Sequence, residues 1–82
     1  MLTSTVIERL YKGVRLVAMR SQGRRYEAAI KKFNGETWYS GCRTVSDARE
    51  RIKKDENIKE LVLYIYHPKK KKFEIIKHFV RS

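Results

Sequence analysis

Residues 60–66, Glu-Leu-Val-Leu-Tyr-Ile-Tyr, constrain the fold of this chain more than any other stretch. They are rich in β-formers and apolar on both of the faces that a strand's period of two creates. The segment therefore predicts a strand covered on both sides. Shorter alternating runs surround it. Val14, Leu16 and Ala18 share one face of a predicted strand over 14–20, and Arg15, Val17 and Met19 share the other. Ser21-Gln22-Gly23 reads as a turn. A second strand over 25–33 puts Tyr26, Ala28 and Ile30 on one face and Glu27, Ala29, Lys31 and Phe33 on the other. Asn34-Gly35 follows, a strong hairpin signal because a type I′ turn needs φ > 0 at both positions. Residues 36–41 form the third strand. A two-residue turn pairs Phe33 with Glu36, Lys31 with Trp38 and Ile30 with Tyr39. That register places Trp38 beside Lys31 on an open face and Tyr39 beside Ile30 and Ala28 on the core side.

The remaining segments complete an α+β pattern. Residues 5–12 admit two readings: Thr5 and Glu8 have capping-box spacing, while Val6, Glu8 and Leu10 suit a short strand. Thr44 or Ser46 caps a helix over 44–54, with Asp47 and Glu50 in its first turn and Lys53 and Lys54 at its end. Val45, Ala48 and Ile52 recur at helical spacing. Pro68 and the lysines after it form a turn, and residues 73–80 a final strand. The expected fold is one domain over residues 1–82: a three-stranded antiparallel meander (14–41), a helix (44–54) and a C-terminal hairpin (60–80).

Charge bounds the partners. The chain has 82 residues, with 20 Lys and Arg against 9 Asp and Glu, a formal net charge of +11. The excess is spread through the folded segments and is not gathered in one tail, so the body of the domain is basic. Such a balance points to nucleic acid or another acidic partner. No apolar run approaches the ~20 residues needed to cross a bilayer, so no membrane role is expected. Met1-Leu2-Thr3-Ser4-Thr5 has neither the basic nor the apolar region of a secretory leader, which predicts a cytoplasmic protein, or a nuclear one in a eukaryote. The single cysteine fits a reducing compartment.

Several local motifs resemble the AP2-like DNA-binding domain of plant transcription factors and of integrase N-terminal arms. Tyr11-Lys12-Gly13-Val14-Arg15 is similar to that family's opening Tyr-Arg-Gly-Val-Arg, and Tyr26 to Lys31 resembles its second strand. Trp38-Tyr39 with Gly41 looks like its Trp-Leu-Gly, and Thr44 to Ala48 like the Thr-x-x-x-Ala that opens its helix. The likeness spans residues 11–52; Ser40 is an insertion, and Ala29 stands where the family has Glu. It implies a duplex-DNA binder that reads the major groove with a β-sheet face, with Arg15, Arg24, Lys31 and Trp38 at contacting positions. From the integrase arms it also implies a phage or mobile-element setting. Arg20, at the end of the first strand, and Arg25, at the start of the second, are also expected to bind nucleic acid. Lys69, Lys70, Lys71 and Lys72 read as a phosphate-clamping tip or as a solvated turn. With Pro68 they also match a short nuclear-localisation pattern.

Two other readings stand beside this one. Residues 25–48 resemble the strand–turn–strand–helix part of a double-stranded-RNA-binding domain. That family's Lys-Lys-x-Ala-Lys helix start is missing, and Asp47 opposes phosphate. The second is a phage-type inhibitor that docks an acidic protein surface, with the aromatic strands at 61–66 and 73–79 as its interface or as a homodimer contact. No enzyme is expected. Cys42, His67 and His78 lack the paired spacings of a structural zinc site. Cys42 is expected to pack as a small apolar residue, both histidines to lie at the surface, and no cofactor or metal is implied.

Overall fold

Four consecutive residues of one strand, Leu61, Val62, Leu63 and Tyr64, are each fully buried. That is possible only where both faces of the strand are covered, as the sequence of 60–66 demands. The computed structural model describes residues 7–18 and 26–82. Its elements are β1 (Glu8–Tyr11), β2 (Val14–Val17), β3 (Tyr26–Lys32), β4 (Thr37–Cys42), α1 (Val45–Lys54), β5 (Ile58–His67) and β6 (Lys72–Val80). The class among the described residues is α+β, with one helix and two antiparallel sheets. A four-stranded sheet has the order β4-β3-β5-β6, and β1 and β2 form a separate two-stranded sheet.

The expected meander over 14–41 is divided between those sheets. β2 pairs with β1, not with β3, and of the two readings of 5–12 the described part, Glu8–Tyr11, is a strand. Local closure explains this pairing. Lys12 and Gly13 both take positive φ, 49° and 88°, and link the strands as a two-residue turn of the I′ kind. The Ser21-Gln22-Gly23 turn lies outside the described residues.

The β3–β4 register also differs from expectation. Lys31 pairs with Thr37, Ile30 with Trp38 and Ala29 with Tyr39. Of Asn34 and Gly35 only the glycine has positive φ, 91°. The loop therefore holds three residues, Phe33 to Gly35, closed by Lys32 N–H donating to Glu36 O at 2.9 Å. Asn34 Oδ1 accepts from Glu36 N at 2.9 Å within it. One residue of slip exchanges the faces of a strand. Trp38 thus lies on the side of Ile30 and Ala28, and Tyr39 shares the opposite side with Ala29 and Lys31. Lys31 and Trp38 do not share a face.

Each face of the sheet has its own core. On one, α1 packs Ala48, Val45 and Ile52 over Ala28, Ile30, Cys42, Leu61 and Leu63. On the other, the β1–β2 hairpin lays Val14 and Leu16 over Ala29, Val62 and Tyr64. Alanines at 28 and 29 let both covers approach the centre of the sheet closely. A bulge between Leu63 and Tyr64 leaves Ile76 as the extra residue of β6. It moves Phe73 and Ile75 to the hairpin side while Ile76 and Phe79 go to the helix side.

α1 is capped at both ends. Thr44, not Ser46, is the N-cap, its Oγ1 accepting from Asp47 N at 3.1 Å. At the C-terminus, Arg81 donates to Ile52 O and to Asp55 O, so carbonyls left over by the helix find a cationic donor. On the opposite side of the sheet two tyrosines hold the edge of β2. Tyr64 Oη donates to Val17 O at 2.6 Å and accepts from Val17 N at 3.2 Å. Tyr39 Oη donates to Arg15 O at 2.9 Å.

Candidate nucleic-acid interface

Beyond Tyr64, β5 has no partner on β3 but continues beside β6, where Ile65 pairs with Glu74, Tyr66 with Phe73 and His67 with Lys72. The end of the C-terminal hairpin is thus a two-stranded ribbon that runs past the four-stranded sheet. Pro68, Lys69, Lys70 and Lys71 make its turn, with Lys71 at φ 51°, and Lys72 begins the return strand. All four lysines are exposed, and among the described residues none is ion-paired to a carboxylate. Tyr66 and Phe73 pair across the ribbon in a tilted contact, ring centroids 4.9 Å apart and planes at 49°, which stiffens its stem. His67 meets Glu74 at 2.8 Å there.

A second basic surface lies at the other end of β5. Trp38 is 54% exposed at the outer strand of the sheet. Its Nε1 donates to Glu36 Oε2 at 3.0 Å, and Lys32 Nζ stands 5.2 Å from the ring centroid. Between this ring and α1 runs an open groove of about 360 Å³, walled by Ile30, Trp38 and Ile58. Lys32, Arg51 and Lys54 line it as well, with Asp55 the acidic member. Lys32 Nζ is 3.6 Å from Asp55 Oδ2. The Arg51 guanidinium is held over β4 by Ser40 Oγ and by Gly41 O, and among the described residues no carboxylate pairs with it.

Arg15 and Lys31 belong to a third region, on the hairpin side. Arg15 is paired with Glu8 at 3.6 Å and exposed. Burial pushes the Tyr39 hydroxyl above its ordinary value, and the Arg15 guanidinium offsets part of that rise. Arg20, Arg24 and Arg25 lie outside the described residues. Of the expected contact residues, the fold brings Lys69, Lys70, Lys71 and Lys72 together. It separates them from Trp38, which stands level with Leu61 across Ile30, by the stretch of β5 from Leu61 to His67, about 20 Å at the rise of a strand.

Sequence reasoning missed Lys32, Arg51 and Lys54. Arg51 and Lys54 are three residues apart on α1, a spacing that places them side by side. Lys32 joins them only because the β3–β4 register moved Trp38 to its face. Cys42 is buried, its Sγ donating to Thr44 O at 3.2 Å. His67 is part-exposed, as expected, but His78 is largely covered, 2.7 Å from Glu60 Oε2 and edge-on to Tyr11. Among the described residues no three His, Cys, Asp or Glu side chains gather as metal ligands, and no helix is long and apolar enough to cross a membrane. Comparison of the chain with protein-family models, curated proteins and solved structures finds no match.

Proposed function

We propose that this chain binds nucleic acid, with duplex DNA as its ligand, and that the lysine-tipped β5–β6 ribbon is the part that enters the groove. One observation carries the reading: four exposed, carboxylate-free lysines at the tip of a two-stranded ribbon that runs past the sheet. The major groove admits a ribbon of this width, and each neutralised phosphate releases counterions. The net charge of +11 supports the same partner. Within this reading the ribbon takes the place of a flat sheet face, because α1 and the β1–β2 hairpin cover both sides of β3 and Lys31 and Trp38 project from opposite faces.

Fluorescence anisotropy with labelled duplex DNA, duplex RNA and single strands across a salt series tests it. The expected result is duplex-DNA binding that persists at physiological salt. A combined Lys69→Ala, Lys70→Ala, Lys72→Ala variant should lower the salt slope by about two to three, since each phosphate that is no longer neutralised removes about 0.9. An unchanged slope and affinity in that variant would remove the ribbon from the interface.

A second reading has its own observation. β4 is an edge strand, and Thr37–Cys42 contain no charged residue and no proline. Such an edge accepts an extended segment of another protein, which here would be acidic. Binding of that kind depends less steeply on salt.

A further inference from the structure

The groove beside Trp38 is chemically unlike the lysine tip. Its walls are apolar, Ile30 and Ile58 with the indole ring, and cations stand at its margin. A cluster made only to hold phosphate needs no apolar wall. An aromatic face joined to cations is what successive bases of an unpaired strand require: the base stacks, and the phosphates on either side meet Lys and Arg. The acids near the groove are already engaged, Glu36 by the indole N–H and Asp55 by Lys32 and by Asn57 N at 3.0 Å. Arg51 and Lys54 carry charge with no carboxylate partner among the described residues. The indole is also held in place, by its bond to Glu36 and by Lys32, so a base meets a fixed platform and loses little of its own freedom to a mobile one.

The geometry points to a second binding site, in which an unstacked nucleobase of a single-stranded segment lies on Trp38 with its phosphates on Lys54 and Arg51. This rests on the nucleic-acid reading above but not on the ribbon, whose lysine tip stands about 20 Å away along β5. A ligand that filled both sites would carry a duplex with a single-stranded extension.

The sequence holds a single tryptophan, so its emission reports this groove alone. The intact chain is titrated at physiological salt with single-stranded oligothymidylate, with a blunt duplex and with inorganic polyphosphate, which has no bases. Oligothymidylate should quench Trp38 emission, while the blunt duplex and polyphosphate bind without quenching. Trp38→Ala should weaken oligothymidylate binding by about tenfold, read by anisotropy of a labelled strand. Lys54→Ala should weaken it several-fold, and both variants should leave duplex affinity unchanged. Circular dichroism and the melting transition verify that each variant is folded. Oligothymidylate binding without a change in emission, or equal quenching by polyphosphate, overturns the base site and leaves the duplex reading intact. Displacement of bound oligothymidylate by an equimolar aromatic phosphopeptide would assign the groove to a protein ligand instead. If no nucleic acid binds at physiological salt, the nucleic-acid reading falls and the base site with it.

Discussion

The two faces of the β4-β3-β5-β6 sheet are closed by different physics. The helix side is filled mainly by apolar fit: Ala48, Val45 and Ile52 of α1 lie over Leu61, Leu63 and Ile30, while its side-chain hydrogen bonds, from Cys42, Arg51 and Arg81, go to Ser40 and to backbone carbonyls at the ends of β4 and α1. The hairpin side adds polar fastening. β2 is only four residues long and pairs with β1 on one edge, so the N–H and C=O groups of its other edge need partners. Tyr64 and Tyr39 supply them from the sheet below. A ten-residue helix satisfies the middle of its own backbone and borrows donors only at its C-terminal end, from Arg81, whereas a short ribbon must borrow hydrogen bonds along its whole free edge.

Substitutions that attack one face at a time test this contrast. Leu61→Ala should be the most damaging, about 3 kcal/mol in denaturant unfolding, because a fully buried side chain leaves a cavity under α1. A loss below 1 kcal/mol would mean that the helix side is loosely packed. Tyr64→Phe keeps the ring but strips the hydroxyl from Val17 N and O, and should cost roughly 1–2 kcal/mol. If the hydroxyl is dispensable, the fastening of β2 is apolar after all.

Alkaline pH probes the same bond without mutation. Burial pushes the Tyr64 hydroxyl from 10.0 up to about 12, while the hydrogen bond from the Val17 amide works in the other direction. The stabilisation that comes from keeping this proton is fully present below pH 10. Above that the unfolded chain ionises while the folded one stays neutral, so stability falls as pH rises toward 12. Urea midpoints of the native chain and Tyr64→Phe, compared between pH 9 and 11.5, should converge at the alkaline end. Parallel curves would show that the hydroxyl is not shielded.

Smaller effects refine the picture. Thr44→Ala removes the cap of α1 and should cost about 1 kcal/mol, visible as a lower melting temperature. Tyr39→Phe should cost about 0.5 kcal/mol, since its bond to Arg15 O is at the exposed margin. A Tyr39→Phe effect as large as that of Tyr64→Phe would make the two clamps equivalent, in spite of their different burial.

Much of the fold was legible along the chain. Helix 44–54 was readable from Thr44, Asp47 and the Val45, Ala48, Ile52 spacing, because caps and amphipathic period are local properties. The last hairpin was readable from Pro68, the lysines and two β-rich flanks. The site was less legible. The lysine tip stands together because it is contiguous, but the Trp38 groove draws on β3, β4, α1 and β5 at once. No spacing rule joins Lys32 to Trp38 or Trp38 to Lys54.

By itself the sequence determined that β5 needs two covers, because Leu61 to Tyr64 offer no polar face to water, and that the domain is basic throughout. Only the tertiary structure decided what the second cover is and which way Trp38 points. Asn34-Gly35 is compatible with a two- or a three-residue loop, and the two differ by one step of register. Packing selects between them: with Ile30 and Ala28 under α1 and Ala29 under the hairpin, the three-residue loop brings Tyr39 to the hairpin side, where its ring joins that core and its hydroxyl reaches Arg15 O. Likewise β2 carried the alternation of a sheet strand but no sign of its partner. The turn at Lys12-Gly13 and the two tyrosine hydroxyls, one of them 47 residues away, settled that.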